Sequence, residues 1–235
     1  MKALVFSAGL GERMRPLTNL TPKPLLLAGG KPLIAWHLEK LAAIGVRDVV
    51  INTSWLAPQF PRVLGDGSQW GLHLHFLHEG HEALETGGGM HNALALLAGN
   101  DDAPFIAING DIWCDYDFAR LPSSPRGDAH LVLVDNPPQH PHGDFVLCAS
   151  GSVVDAGADK LTFAGIGVYR SALLRDWRAT IGDAPGSQRQ PPRFPITPLL
   201  RAAMARNAVT GEHHCGRWTD VGTPDRLARL DAELA

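Results

Sequence analysis

The chain has 235 residues, enough to bury a sizeable core as one large domain or two small ones. Hydrophobic residues make up 45% and charged residues 19%, the balance of an ordinary globular enzyme. The net charge of −3 excludes a general bias toward nucleic acid or anionic membrane, so any anion site has to be built locally.

In chain order, KALVF (2–6) reads as a short buried strand. The loop after it, SAGLGERMRPLTNLTPKPLL (7–26), leaves the end of that strand, where α/β proteins place ligands. Residues 31–45 carry apolar side chains at 33, 34, 38, 41 and 44, a helical spacing, and Gly45 supplies the stop. The strand RDVVINT (47–53) then completes a βαβ unit, hence a parallel sheet. Residues 72–77 alternate as a strand, 88–99 are helical, 103–110 form a buried strand ending in Asp111, and 129–134 form another strand.

After that the pattern changes. Glycines separate short strand-like pieces over 143–157, as in a hairpin, and 160–170 is a strand. Residues 183–195, rich in Pro, Gly, Ser and Gln, read as a loop; 196–207 are helical with Asn207 at the end; 209–222 are strand then turn. The last helix, 223–235, has Thr223 as N-cap, Pro224 in its first position and Asp225 near the positive end of its dipole. No internal repeat or dividing linker is visible, so a single domain is expected over 1–235.

Three widely spaced cysteines (Cys114, Cys148, Cys215) argue against a disulfide framework and for a reducing compartment. No apolar run approaches the ~20 residues of a membrane span, and the first residues lack the pattern of a signal peptide. A cytoplasmic protein is expected.

The loop 7–26 is the first candidate for chemistry. It is not the dinucleotide fingerprint, because Met14 stands where the third glycine belongs, and it is not a Walker loop, because Pro32 and Leu25 occupy required positions. What remains is Gly9, Gly11, Arg13, Arg15 and Lys23. Glycines let the backbone present N–H groups to a phosphate, Arg13 can chelate its oxygens, and Pro22 and Pro24 stiffen the chain around the Lys23 ammonium. On spacing alone a solvated basic turn is the alternative reading of this loop.

Asp111 and Asp220 each stand at a strand end. Each alone is an ordinary turn-former or cap; together they suit one Mg²⁺, which takes few protein ligands. The glycines of LETGGGM (84–90) permit close approach of a base or ribose, or simply a tight loop-to-helix turn. The histidines at 73, 75, 78 and 81 lack a zinc pattern, and QHPHGD (139–144) reads as a polar loop near substrate.

Taken together, AGLGERMRPLTNLTPKPLL, the NGD at 109–111 and the DVGTP at 220–224 resemble, in order and over the full length, the sugar-1-phosphate nucleotidyltransferases. LETGGG, NGD.W.DYDF, VDNP followed by GDF, and the TF.GI.V strand are most similar to the short bacterial N-acetylmuramate α-1-phosphate uridylyltransferases. The Glu-Lys-Pro segment of many glucose- and thymidine-type members is missing around VVDAGADKLTF, where Lys160 is the one candidate to replace it.

The resemblance implies an α/β fold: a Rossmann-like, mostly parallel mixed sheet flanked by helices, with a small antiparallel sugar-binding part. Residues 1–135 would be mainly the nucleotide half and 136–235 mainly the sugar-phosphate half. It implies UTP and a sugar 1-phosphate as partners, Mg²⁺ as cofactor, no nucleic acid, no membrane, and a monomer or small homo-oligomer. Arg13, Lys23, Asp111 and Asp220 would be catalytic, the two aspartates as metal ligands. Ala8, Gly9, Gly11, Glu12, Arg13, Lys23, Glu85, Thr86, Gly87 and Asn109 would bind the nucleotide. Gly143, Asp144, Ala164 and Gly165 would face the sugar phosphate. Mannose 1-phosphate with GTP, or glucose 1-phosphate with UTP or dTTP, are the rival substrate pairs. A catalytically idle nucleotide-sugar-binding regulator is the rival of another class.

Overall fold

Strands that are apolar on both faces need cover on both faces, and the runs at 3–5, 49–51 and 105–108 meet that condition. A computed structural model describes residues 1–98 and 102–235. Its elements run β1 (Lys2–Phe6), β2 (Leu27–Ala28), β3 (Lys31–Pro32), α1 (Leu33–Ala43), β4 (Asp48–Thr53), α2 (Gln59–Leu64), β5 (His73–His78), α3 (Glu85–Leu97), β6 (Phe105–Asn109) and β7 (Ile112–Cys114). They continue with β8 (Ala129–Val134), β9 (Phe145–Leu147), β10 (Val153–Val154), β11 (Lys160–Tyr169), α4 (Trp177–Ile181), α5 (Thr197–Ala205), β12 (Val209–His214), β13 (Trp218–Asp220) and α6 (Pro224–Leu234).

The main sheet has the order β10-β9-β11-β6-β1-β4-β5, with β8 joined to β11 and β12 to β8. β1 runs parallel to β4 and β6, and β4 parallel to β5. The long β11 turns the sheet mixed: it is antiparallel to β6, β8 and β9. The β9–β10 hairpin and the first residues of β11 form the small antiparallel part.

Alternation across the pleat divides the core. Ala3, Val5, Val49, Ile51, Ile106 and Ile108 pack on one side with Leu38 and Leu41 of α1 and Phe60 of α2. Leu4, Val50, Phe105 and Ala107 face the other side, against Met90, Ala93 and Leu97 of α3 and Leu199 and Leu200 of α5. A third, smaller core joins Met14, Leu26, Leu33, Trp113, Val221, Leu227 and Leu230, so α6 is packed beneath the loop 7–26.

Most predicted elements recur with shifted ends. Pro32 is extended (ψ 141), so Lys31–Pro32 pair as β3 and α1 begins only at Leu33. Gly45 does stop that helix, at a left-handed φ of 83°. α3 begins three residues earlier than predicted, at Glu85, and the last residue of the predicted 88–99 helix lies outside the described residues. The Thr223 hydroxyl accepts from Arg226 N at 3.3 Å, as an N-cap should. α2 and α4, of six and five residues, are too short to register as periodicity.

His37 is a buried weak point in this fold. Its ring stacks on Phe118 and Nε2 donates to the Ile112 carbonyl at 2.9 Å, which fixes the backbone one residue past Asp111. Burial holds its pKa down at about 4, against 6.5 for a free histidine, with Lys40 pushing the same way. The unfolded chain therefore binds a proton that the folded chain refuses. Stability is fully present above pH 6.5 and is lost as pH falls toward 4, by at most roughly 3 kcal/mol. Denaturant unfolding at pH 7 and pH 5 checks this: His37→Gln, which keeps a donor for Ile112 but does not titrate, should lose distinctly less stability between the two pH values than the wild type.

Candidate functional site

The C-terminal ends of β1, β4 and β6 open into two contiguous cavities that share Phe6, Gly9 and Asp111. The first, about 240 Å³, is lined by Ala8, Asn52, Glu79, Ala83, Glu85, Thr86 and Asn109 as well. The second, about 180 Å³, adds Gly11, Arg13, Met14, Lys23, Pro24 and Gly222.

The loop over the second cavity is shaped from within. Gly11 has φ +64°, and a Cβ there would lie 2.8 Å from Thr18 Cγ2, while the Thr18 hydroxyl donates to Gly11 O at 2.8 Å. Met14 is fully buried and anchors the loop in the third core. Gly9 is different. It has no left-handed φ and a Cβ would meet nothing within 4 Å, so its bare backbone faces open cavity. Arg13 is exposed at the cavity rim. Arg15 and Glu12 pair with each other at 3.8 Å on the outside of the loop, and neither lines a cavity.

Lys23 joins the loop to the sheet. Its side chain is only 8% exposed, and Nζ meets Asp111 Oδ2 at 2.6 Å. Gly110 makes this approach possible: its N–H donates to Phe6 O at 2.9 Å, and a Cβ would lie 2.8 Å from that oxygen. Asp220 arrives from the far end of the chain. β13 pairs with β7 so that Asp220 stands opposite Ile112, and Val221 N donates to Asp111 O at 2.9 Å. Asp220 Oδ1 is gripped by Arg226 and by Gln139 Nε2 at 2.6 Å. So the two predicted aspartates stand on backbone segments bonded to each other, Asp111 in the walls of both cavities and Asp220 outside the lining of either, each with one carboxylate oxygen lacking a partner among the described residues. Among those residues no group of three or more His, Cys, Asp or Glu could hold a metal.

Asn109 lines the first cavity and stands against Gly165, whose φ is +77° and whose Cβ would lie 2.6 Å from Asn109 Nδ2. Glu85 also has a positive φ, 62°, and is held by Arg193 Nη2 at 2.6 Å. Gly87 does not reach the cavity wall; a Cβ there would lie 2.6 Å from the Phe194 ring, and one at Gly88 would strike Pro192 O. The glycines at 87 and 88 therefore make room for the chain's own segment 192–194, whose Phe194 O accepts from Gly88 N at 2.9 Å.

A third cavity, about 330 Å³, is lined by His140, Gly143, Asp144, Phe145, Lys160, Phe163, Ile196, Thr197, Leu200 and Arg201. Gly143 and Asp144 both line this cavity, and the Asp144 carboxylate is occupied by Phe163 N at 2.8 Å and by His140 at 3.1 Å. Ala164 corrects the expectation: it is buried in the core with its carbonyl taken by Trp218 Nε1 at 2.9 Å, and Phe163 lines the cavity in its place. Lys160 and Arg201 share one carboxylate, Asp155, at 3.7 and 3.1 Å.

A glycine-bare backbone, a rim arginine, a buried lysine and carboxylates on two joined backbone segments suit a polyphosphate with its cation. A model of nucleotidyl transferases matches residues 2–152. The chain belongs to the nucleotidyl transferase family.

It is 44% identical to the N-acetylmuramate α-1-phosphate uridylyltransferase of Neisseria meningitidis serogroup B, over 99% of this chain and 97% of that protein. The Caulobacter vibrioides enzyme of the same name is 33% identical, over 99% and 96%. A Mycobacterium tuberculosis mannose-1-phosphate guanylyltransferase is 31% identical over 99% of this chain but 64% of its own length. The fold is shared with a Bacillus anthracis protein described as a candidate glucose-1-phosphate thymidylyltransferase, at a TM-score of 0.80 and 21% identity, covering 100% of this chain and 95% of that one.

Sequence reasoning passed over several wall residues of this nucleotidyl transferase: Phe6, Asn52, Glu79, Gly222 and Arg201. Asn52 and Glu79 carried a signal, as polar residues at the ends of strands that are otherwise apolar or alternating. Arg201 carried none, since it is an exposed residue in the middle of α5.

The two loop glycines should fail differently. Gly11→Ala should cost about 1–3 kcal/mol through strain and the Thr18 clash, lowering Tm by about 2–4 °C for each kcal/mol. Gly9→Ala should leave Tm within about 1 °C of wild type yet cut turnover at least ~10-fold, because its methyl occupies the cavity. Thermal unfolding and activity on the same preparations check both.

Proposed function

We propose that this protein transfers a uridylyl group from UTP to N-acetylmuramate 1-phosphate, giving the UDP-sugar and pyrophosphate, in the cytoplasm and as a step of cell-wall precursor recycling. The observation that carries the reading is the buried Lys23 in the wall of the second cavity, clamped at 2.6 Å on Asp111, which lines both cavities. A desolvated ammonium there meets charge that develops between a nucleoside and its leaving pyrophosphate.

In this reading the chain is one domain. Residues 1–135 mainly hold the nucleotide, with Glu85, Thr86 and Asn109 around base and ribose and the Ala8–Arg13 backbone around the triphosphate. Residues 136–235 mainly hold the sugar phosphate. A phosphate oxygen of the sugar 1-phosphate attacks the α-phosphorus, the bond to the β-phosphate oxygen breaks, and pyrophosphate leaves with the electron pair. The attacking phosphomonoester has a second pKa near ~6 and is already ionised at neutral pH. No side chain has to take its proton. The protein's work is to hold two anions in line and stabilise the leaving group.

The donor set suits Mg²⁺. Asp111 and Asp220 offer hard oxygens, each with one oxygen unengaged among the described residues, and the remaining shell would come from phosphates and water. Bound there, Mg²⁺ would neutralise phosphate charge. Arg226 and Gln139 hold Asp220 in place for it.

The third cavity supports the choice of sugar. N-acetylmuramate differs from N-acetylglucosamine by an ether-linked lactyl carboxylate. Lys160 and Arg201 hold more donors than their one shared Asp155 can use, and they suit that carboxylate.

Pyrophosphate release with UTP, comparing the 1-phosphates of N-acetylmuramate, N-acetylglucosamine, glucose and mannose, tests the reading. Strong preference for the muramate sugar is expected. Activity confined to GTP with mannose 1-phosphate would overturn it. Arg201→Ala should raise KM for the muramate sugar about 10- to 100-fold, the worth of a charge-assisted hydrogen bond, and leave KM for N-acetylglucosamine 1-phosphate unchanged. Asp111→Asn should lower kcat at least ~100-fold and also lower Tm, because the buried Lys23 ammonium keeps an acceptor but loses its counter-charge; a variant still folded at the assay temperature separates the two effects.

A further inference from the structure

Asn52 and Glu79 are buried polar residues in the wall of the first cavity, and the transfer chemistry makes no use of them. Their bonds form a single chain. Ser7 N donates to Asn52 Oδ1 at 2.7 Å, Asn52 Nδ2 donates to Glu79 Oε1 at 2.8 Å, and Leu84 N donates to Glu79 Oε2 at 2.9 Å. Gly89 packs against the middle of it: a Cβ there would lie 2.7 Å from Glu79 Oε1 and 2.9 Å from Asn52 Nδ2. The Glu79 backbone is itself fixed, its N–H donating to Thr53 O at 2.8 Å.

A buried carboxylate is an expensive way to fill space, and burial raises the Glu79 pKa accordingly. A well-packed apolar pair would cost less. What the polar chain supplies is direction and spacing. Ser7 opens the loop that wraps the second cavity. Leu84 immediately precedes Glu85 and Thr86, which line the first. Asn52 stands between them at the end of β4. Three segments from three strand ends are thus tied by bonds that each have a fixed donor and acceptor.

We infer that Asn52 and Glu79 are positioning residues that set the spacing between the triphosphate loop and the nucleoside segment 84–86, so that nucleotide affinity depends on the donor–acceptor polarity of this pair while sugar-phosphate affinity does not. The inference rests on the nucleotide occupying these two cavities, as proposed above.

Polarity can be broken and then restored. In Glu79→Gln the amide has one acceptor oxygen for two donors, so its NH₂ must face either Asn52 Nδ2 or Leu84 N. In Asn52→Asp two carboxylates face each other. In the double variant N52D/E79Q every bond returns: the carboxylate at 52 accepts from Ser7 N and from the amide at 79, whose oxygen accepts from Leu84 N. Net charge equals that of the wild type.

The experiment measures KM for UTP, KM for N-acetylmuramate 1-phosphate, kcat and Tm for the wild type, both single variants and the double variant. E79Q should raise KM for UTP at least about 10-fold and leave KM for the sugar phosphate within about 2-fold, and the double variant should recover KM for UTP to within about 3-fold of wild type. If the single variants do not fold, the milder Asn52→Ser, which keeps an acceptor near Ser7 N but loses the amide donor to Glu79 Oε1, is read in their place: a raised KM for UTP with KM for the sugar phosphate unchanged supports the inference, and an unchanged KM for UTP overturns it. A lowered Tm with unchanged KM for UTP marks a merely structural pair and overturns the inference. So does a double variant no better than the worse single. A wild-type enzyme that uses UTP beside an unaffected E79Q overturns this inference alone. A wild type that uses no nucleoside triphosphate overturns the nucleotide reading, and the inference with it.

Discussion

The contact between Lys23 and Asp111 is the constraint around which the rest of the site is arranged. It is asymmetric: the ammonium is 8% exposed and the carboxylate 41%. A lysine this buried is costly without its partner, so the loop 7–26 and the end of β6 must arrive together. The surrounding sequence serves that meeting. Pro22 and Pro24 fix the backbone on either side of Lys23, Gly11 gives Thr18 room beside Lys23 Cβ, and Gly110 lets β6 close on Phe6. Loop and strand end then present one face to both cavities.

The same meeting explains why a C-terminal helix belongs to an N-terminal site. α6 buries Leu227 and Leu230 against Met14, Leu26 and Trp113, beneath the loop. Its first turn carries Arg226, which holds Asp220 beside Asp111. Gly222 leaves space for that arginine. Packing, rather than any long-range field, delivers the second carboxylate. The site can thus stand in a chain of net charge −3: its positive charge is local, the Lys23 ammonium buried and paired with Asp111, and Arg13 exposed at the rim.

Much of this was legible in the sequence. The strand, loop and helix at the N-terminus announced themselves by apolar spacing and punctuation, and the Thr223-Pro224 cap by residue type. The two aspartates stood out by their places at strand ends and through the family resemblance. What was not legible depended on partners far away in sequence. The glycines at 87 and 88 looked ready for a base, yet the segment that fills their space is 192–194, about a hundred residues on. Ala164 sits on the expected strand, but the bulge between Phe163 and Gly167 changes which residue faces the cavity. Arg201 reads as a surface helix residue until α5 is packed against the third cavity. Asn52 and Glu79 are polar residues whose purpose depends on a hydrogen-bond chain through three segments, which no local pattern encodes.

The central claim is that Lys23, released from Asp111, grips a nucleoside triphosphate. Calorimetric titration of UTP with Mg²⁺, in the absence of any sugar phosphate, tests it most directly on the wild type and on Lys23→Ala. One UTP bound per wild-type chain, with affinity lost by at least ~10-fold in a folded Lys23→Ala, is the predicted result. Unchanged UTP affinity in that variant, or no UTP binding by the wild type, would contradict the account.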